Sequence, residues 1–558
     1  MYFSKVLLEF AKKHPILVLV NMCFMALMPI NEVLLPHLYG KLIDAIQHRK
    51  KFLSYFIFVI AVLILIQLGN AFGDWHDTIV NPEFQSFLRQ SMLNSIIDKY
   101  ENSYEEITIG DVITKFVKTP GILIQWFARV KDYLIPYILV FISAVGYFLY
   151  YDITLGISLL ITMIIMVYLL TTAPFTCNDL TIKKAKIYNQ LHSEIDDVLK
   201  NLMSVYGSNE KKNELLRIEK LDIKHKAAFI ETMLCILKYK FIAIPVLLTF
   251  FTVFVFRCNI LLKNGRMKTA NFVSLFMILL YMIGSFIWLV DLVRDMIYDY
   301  GTVKETEELL EHTKEIPKHL QNITLEPPEV GLGLYNVQFS YKGYKQPTLK
   351  GVSIYFKPNE TTVLLGDIGS GKSTILKLLM RFYLPQDGDL FINGKWYSNL
   401  ETYQIRRNIG YIPQNPILFN RTVYENIKYG NDTITNEQIE KIINDLNIMG
   451  EFSNLEKGLN TPVGVNGSKL SGGQKQLVWC LRILLSDPEI ILMDEPTASL
   501  DQKSKDLLFK MLDMVMSKKD KTVIMITHDP YLLKKANRKI YLKNGQISEY
   551  NSNEHTNI

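Results

Sequence analysis

Residues 366–374, GDIGSGKST, place three glycines, a lysine and hydroxyl side chains in the spacing G-x-x-x-x-G-K-[ST]. Glycine takes backbone angles closed to other residues, so consecutive N–H groups can curl around an anion. A lysine closing such a loop reaches terminal phosphates, and the hydroxyl after it can ligate a magnesium ion. The pattern arises by chance in many chains, so its setting decides. TTVLLG before it reads as a buried strand and TILKLLMRF after it as a helix. Strand, glycine loop and helix is the arrangement a phosphate cradle needs, with the helix N-terminus adding its dipole. Gly366, Asp367, Ile368, Gly369, Ser370, Gly371, Lys372, Ser373 and Thr374 are therefore the expected nucleotide loop.

Two further strands point at the same place. EIILMDEPTASLD, residues 489–501, has a short apolar run, as a buried parallel strand should. Asp494 at its end stands where a Mg²⁺-side carboxylate belongs, and Glu495 is positioned to polarise a water. TVIMITH ends at His528. A histidine there serves structure or, if the strand ends converge, the phosphate and the attacking water. The ends of parallel strands are where α/β sheets bind ligands.

KLSGGQKQ, residues 469–476, poses a question. It too can hold phosphate, yet the chain already has a cradle. Together GDIGSGKST, IPQNPILF with Gln414, LSGGQ, ILMDEP, ASLD and ITH make residues 330–545 resemble the ATP-binding cassette family. The resemblance implies ATP and Mg²⁺, with Ser373, Gln414 and Asp494 on the metal and Glu495 and His528 in catalysis. It places Tyr341 of VQFSYKGYKQPTL on the adenine, although a strand tyrosine can equally be core. It assigns Leu470, Ser471, Gly472, Gly473 and Gln474 to the ATP held by a second, head-to-tail cassette, with Ser499 and Asp501 in the adjoining loop. Two departures stand out: Val465 where the family usually has glutamate, and Leu477 where it usually has a basic residue. Leu477 is expected on the helix exterior.

The residues before 300 are of another kind. The chain is 49% hydrophobic, and nearly all its long apolar runs lie here. Runs 16–35, 52–72, 133–151, 153–175, 241–256 and 269–290 are almost uncharged. Crossing a bilayer core takes ~20 apolar residues as helix. The fifth run is 16 residues long, and flanking Lys240 and Arg257 can snorkel to extend it. The stretch 1–14 reads as an amphipathic helix on the membrane surface. Loops after runs 1, 3 and 5 are short, the third being Asp152 alone. The long loops after runs 2 and 4 read as pairs of helical legs that leave the membrane and return. Lys and Arg number 6 in 74–131 and 12 in 175–240, which puts these loops in the cytoplasm. By resemblance, the bends near 103–110 and 206–214 are coupling helices.

Glu32 is the one charge inside a span. Such a group marks a substrate or ion path, or is a carboxylate solvated or paired near a cavity mouth. Asn21, Asn31, His37, Gln67 and Asn70 read as interhelical hydrogen-bonding groups. Aromatic and Met residues of run 6, including Phe272, Tyr281, Phe286 and Trp288, suit lipophilic cargo; helix packing and lipid contact account for them as well. Five scattered cysteines fit neither a disulfide framework nor a zinc spacing and read as buried or interfacial thiols. A net charge of +6 gives no argument for nucleic acid.

The expected fold is an α-helical membrane domain over 1–320, with six transmembrane helices and long cytoplasmic helical extensions. A linker over 321–329 joins it to an α/β P-loop nucleotide-binding domain with a helical subdomain over 330–558. This order resembles an exporter-type half-transporter in the lipid bilayer, with its cassette in the cytoplasm. The resemblance implies a second half as partner; complete motifs permit a homodimer, and a heterodimer is open. Small-molecule, lipid and peptide substrates are all open. An ATP-gated channel or regulatory membrane subunit is the alternative with the same fold. A soluble cassette ATPase is disfavoured by the six spans.

Overall fold

The computed structural model describes residues 2–47, 52–102, 109–311, 326–344, 346–498, 500–518 and 520–548. The chain divides into two compact units, Met1–Tyr100 with Glu105–His312, and Glu101–Tyr104 with Thr313–Ile558. The second takes in four residues of the first long loop, and Arg406 donates to the backbone carbonyl of Glu101 there at 2.7 Å.

The first unit is all helix. After α1 (Tyr2–Lys13) come α2 (Pro15–Gln47), α3 (Phe52–Lys99), α4 (Val112–Tyr151), α5 (Ile153–Lys200), α6 (Lys211–Lys263) and α7 (Thr269–Leu310). Each of α2–α7 is long and apolar enough to cross a membrane, and each contains one of the six apolar runs. The long loops are indeed helical legs continuous with the spans. At 1.5 Å per residue, the 48 residues of α3 reach about 72 Å, more than twice a bilayer core. The turn between α5 and α6 holds a short helix, Leu202–Gly207. Residues 103–108 and most of the expected linker lie outside the described residues.

Several details differ from expectation. α1 is amphipathic, but protein covers its apolar face: Phe3, Val6 and Phe10 are buried with Phe84, Leu88 and Met92 of α3. Lys240 and Arg257 do not simply reach for solvent. Lys240 pairs with Asp291 of α7 at 2.8 Å, and Arg257 holds Asp152 through two bonds of 3.0 and 2.8 Å. Asp152 also caps α5, accepting from the N–H groups of Thr154 and Leu155, so one carboxylate ties the shortest loop to a third helix. Cys177 of α5 and Cys235 of α6 form a disulfide, which corrects their reading as thiols. Scattered spacing hid the pair because two long neighbouring helices bring them together. Phe286 is buried and stacks on Phe141 at 4.6 Å, and Met282 is fully buried. Packing thus accounts for the inner part of the aromatic run on α7.

Turns 30–34 and 130–134 are π-helical, with the N–H of Leu35 donating to Ile30 and that of Ile135 to Val130. Each sits just ahead of a proline, Pro36 or Pro136. Proline cannot donate to the carbonyl four residues back, here that of Glu32 or Asp132, and the helix widens at that point.

The second unit is α/β. Its strands are β1 (Leu332–Phe339), β2 (Leu349–Phe356), β3 (Thr361–Gly366), β4 (Asp387–Ile392), β5 (Lys395–Trp396), β6 (Ile409–Ile412), β7 (Ile490–Asp494), β8 (Thr522–Ile526), β9 (Arg538–Lys543) and β10 (Gln546–Ser548). A small antiparallel sheet has the order β2-β1-β4-β5, and the larger sheet the order β10-β9-β3-β8-β7-β6. In the larger sheet β9, β3, β8, β7 and β6 run parallel. β7 and β8 are buried at every residue, as a sheet covered on both faces requires. Registers pairing Leu364 with Ile526, and Ile526 with Asp494, bring the ends of β3, β8 and β7 side by side.

Candidate nucleotide site

The glycine loop runs from β3 into α8 (Lys372–Leu379). Gly366, Gly369 and Gly371 all have positive φ, at 141°, 80° and 103°. At Gly366 the constraint is also steric, since a Cβ would lie 2.1 Å from the carbonyl oxygen of Leu542 on β9. Lys372 folds back over the loop and donates from Nζ to the carbonyls of Gly366 and Asp367 at 2.7 and 2.9 Å. Burial holds its ammonium below the usual lysine range, against the pull of Glu495, Asp367 and Asp494. Ser370 Oγ is buried without a partner among the described residues. Ile368, at the tip, is fully exposed.

Ser373 Oγ donates to Asp494 Oδ1 at 3.1 Å. Burial at the end of β7 pushes the Asp494 carboxyl above the usual carboxylate range, while the Ser373 bond opposes the shift. Glu495 follows with φ of 44°, a left-handed conformation that non-glycine residues seldom take. It is held there by its N–H donating to Ile526 of β8 at 2.9 Å, and Gln414 Nε2 donates to its Oε2 at 3.0 Å. His528 is exposed two residues beyond β8, the strand lying between β3 and β7. Tyr341 is half-buried against Phe339 and Tyr383, and its hydroxyl lies 3.2 Å from Thr374 Oγ1 of α8. The glycine loop, Asp494, Glu495, Gln414 and Tyr341 are thus joined by contacts among neighbouring elements.

LSGGQ builds a helix start. Ser471 caps α9 (Gly472–Ser486): its Oγ accepts from the N–H of Gln474 at 3.2 Å, and its own N–H donates to Gln474 Oε1 at 2.8 Å. Gln474 Nε2 reaches the carbonyl of Glu451 at 2.6 Å. Gly473 leaves no room for a Cβ, which would meet Ser504 Oγ of α10 (Gln502–Met516) at 2.4 Å. Leu470 is buried, whereas Ser471 and Gly472 face solvent. Asp501 caps α10, accepting from the N–H of Ser504 at 2.7 Å, a structural task its motif did not signal. Ser499 lies outside the described residues. Glu451, which also pairs with Lys503 at 2.6 Å, is a support that no motif announced. Leu477 is 1% exposed and belongs to the core of this unit, so its expected place on the helix exterior is wrong. Val465 is exposed.

The parts fit a nucleotide with its metal. Three glycines shape the cradle, the unpartnered Ser370 hydroxyl adjoins it, and a hydroxyl–carboxylate pair stands beside it. Among the described residues no trio of His, Cys, Asp or Glu can hold a metal alone. Mg²⁺ does not ask for one, since it is usually held by one or two carboxylates together with substrate phosphates.

Residues 349–498 match the ABC transporter family. The cassette is therefore similar to the nucleotide-binding part of ABC transporters. The chain is 24% identical over 98% of its length to ABC transporter B family member 1 of Dictyostelium discoideum, of which it spans 60%. It is 24% identical, over 97% of its length, to a Rickettsia typhi protein named for an export ATP-binding/permease role, of which it spans 93%. A solved bacterial Atm1-family ABC exporter with ATP bound has the same fold, with a TM-score of 0.83 at 20% identity, over 97% of this chain and 95% of that one. The cassette is thus an ATP-binding domain, and the six apolar helices make the chain a multi-pass integral membrane protein with the cassette on the cytoplasmic side.

Proposed function

We propose that this chain is one half of an ATP-driven exporter, spanning the membrane over 1–320 and carrying its cassette over 330–558. The observation that carries the reading is one network, Ser373 to Asp494 and Gln414 to Glu495, laid beside a glycine cradle in a chain with six apolar helices. The names of the relatives point the same way. Lys372 exchanges its two loop carbonyls for phosphate oxygens. Ser373, Asp494 and Gln414 would hold Mg²⁺, which supplies charge neutralisation at the terminal phosphates. Glu495, fixed by Gln414 and its strained backbone, orients and polarises the attacking water, with His528 beside the terminal phosphate. Tyr341 receives the adenine.

The exposed Ser471 and Gly472, together with the bare Ile368 tip, support a second cassette lying over this surface. In that reading two copies close head to tail around two ATP molecules, and Leu470–Gln474 complete the partner's site. Closure shifts the membrane helices from inward-facing to outward-facing by the difference in ATP affinity between open and closed states.

The test is ATP hydrolysis by this chain alone in lipid nanodiscs, beside Glu495→Gln. Wild type should turn over, and the variant should bind ATP while losing about 10²–10³-fold in rate, the usual size of a lost acid–base or water-orienting group. Equal turnover in both removes Glu495 from the chemistry, and ATP binding without turnover in either removes the self-sufficient dimer.

A further inference from the structure

A cavity of about 440 Å³ opens among α2, α3 and α4, wholly inside the membrane unit. Its lining is not that of ordinary helix packing. Glu32 comes from the π turn of α2, Asp74 and Asp77 from α3, and Lys131 and Asp132 from the π turn of α4. Lys131 is buried between Asp77, which it contacts directly, and Asp132, at 3.0 Å. Glu32 accepts from Asn31 at 2.6 Å and, like Asp74, has no ion pair among the described residues. One ammonium among four carboxylates leaves the cavity formally negative, in a setting where charge is weakly screened.

A second observation is independent of the carboxylates. Asn21 of α2 also lines the cavity and is only 4% exposed. His76 Nδ1 lies 3.1 Å from its Oδ1, while its Nδ2 has no partner among the described residues. A buried amide donor left unpaired is costly, so it calls for an acceptor. Phe24 and Tyr133 also line the cavity and put aromatic rings beside it. No trio of these side chains can hold a metal ion, so the negative charge is spread over a volume that suits an organic molecule.

We infer that this cavity binds an organic cation bearing a hydrogen-bond acceptor, and that this is the class of substrate the transporter carries; the second part rests on the export reading above. The cationic centre sits among Glu32, Asp74 and Asp132, and the acceptor takes the free N–H of Asn21. Asp74 and Lys131 lie where the apolar runs of α3 and α4 pass into the cytoplasmic legs, so cargo enters from the cytoplasmic side.

The experiment is calorimetric titration of the full chain in nanodiscs without nucleotide, against empty nanodiscs. The probes are benzoylcholine, an ester-bearing quaternary ammonium, and 3,3-dimethylbutyl benzoate, its uncharged carbon isostere. Wild type should bind the cation at least about 10-fold more tightly, from the surplus negative charge. E32Q with D74N should reduce that preference to about 2-fold or less, and Asn21→Ala should weaken both probes equally by loss of the acceptor contact. Equal binding of the two probes by wild type overturns the inference without need of any variant, as does a preference that survives E32Q with D74N. Titration needs no turnover. No binding beside normal ATP hydrolysis therefore overturns the cation site alone, whereas binding with no hydrolysis counts against the export reading.

Discussion

The cassette and the membrane unit carry their chemistry in opposite ways. In the cassette each functional group belongs to a contiguous string, because phosphate binding depends on consecutive backbone N–H groups and on residues at strand ends. In the membrane unit the acidic cavity draws on residues 21–136 over three helices, no two of its segments adjacent in sequence. Recognition by a backbone shape leaves a motif. Recognition by side chains gathered across helices leaves scattered single residues, each with a bland explanation of its own.

That contrast can be broken inside the cassette, where one motif neighbour was misplaced. Leu477 is 1% exposed and packs in the same core as Val478, Leu481 and Leu484. Leu477→Ala should cost about 3 kcal/mol of cassette stability, from lost burial and the cavity left behind. Chemical denaturation of the full chain, read by a cassette probe, measures it. A loss under about 0.5 kcal/mol, the range of a surface change, would return Leu477 to the helix exterior.

The same residue shows what was legible. Leu477, Leu481 and Leu484 recur at helical spacing, so the pattern itself marked a buried face; the comparison with a family in which a basic residue is usual there outweighed it. Six spans, helical legs and the strand–loop–helix of the cradle were readable from apolar runs and glycine spacing. The disulfide was not, because Cys177 and Cys235 lie 58 residues apart on helices whose rotation no local rule sets. Asn21 reads from sequence as an interhelical hydrogen-bonding group, and its Oδ1 does meet His76; only the fold shows its second polar atom without a partner among the described residues. One signal for the cavity does lie in the sequence. Glu32 and Asp132 each stand four residues before a proline, the position where a helix turn widens.

The membrane unit offers a sharper comparison through two glycines. A Cβ at Gly40 of α2 would lie 2.0 Å from Ser274 Oγ and 2.8 Å from the carbonyl oxygen of Ala270, on α7. At Gly69 of α3 it would meet only the end of the Leu27 side chain, at 2.4 Å. Backbone cannot yield where a leucine terminus can. Gly40→Ala should therefore destabilise the membrane unit by about 1–3 kcal/mol. Gly69→Ala should be near neutral, with the gain in helix propensity of about 1 kcal/mol offsetting the shift of Leu27. Thermal unfolding of both variants in the same detergent decides it. A Gly69→Ala loss as large as that of Gly40→Ala would mean that α2 and α3 pack as rigidly as α2 and α7.

The smallest effect is a pH slope in the cassette. Asp389 on β4 is 1% exposed; its Oδ1 accepts from the N–H of Leu390 at 2.7 Å and its Oδ2 from that of Ser398 at 3.2 Å. Burial nevertheless pushes its carboxyl above the usual range, outweighing those bonds and the nearby Arg381. Arg381, itself buried, is held below its usual range for the same reason. With a raised carboxyl the folded state binds more protons than the unfolded one between the ordinary aspartate value of about 3.9 and the raised one. Stability contributed at this site is therefore highest at low pH and falls as pH rises through that window. Asp389→Asn does not titrate, so the margin of wild type over the variant should shrink as pH rises from the ordinary aspartate value of about 3.9. Denaturation of both proteins at matched pH measures the margin. A margin that grows with pH would mean that the backbone donors and Arg381 outweigh burial. The cassette would then owe part of its stability to an ionised carboxylate held in its interior.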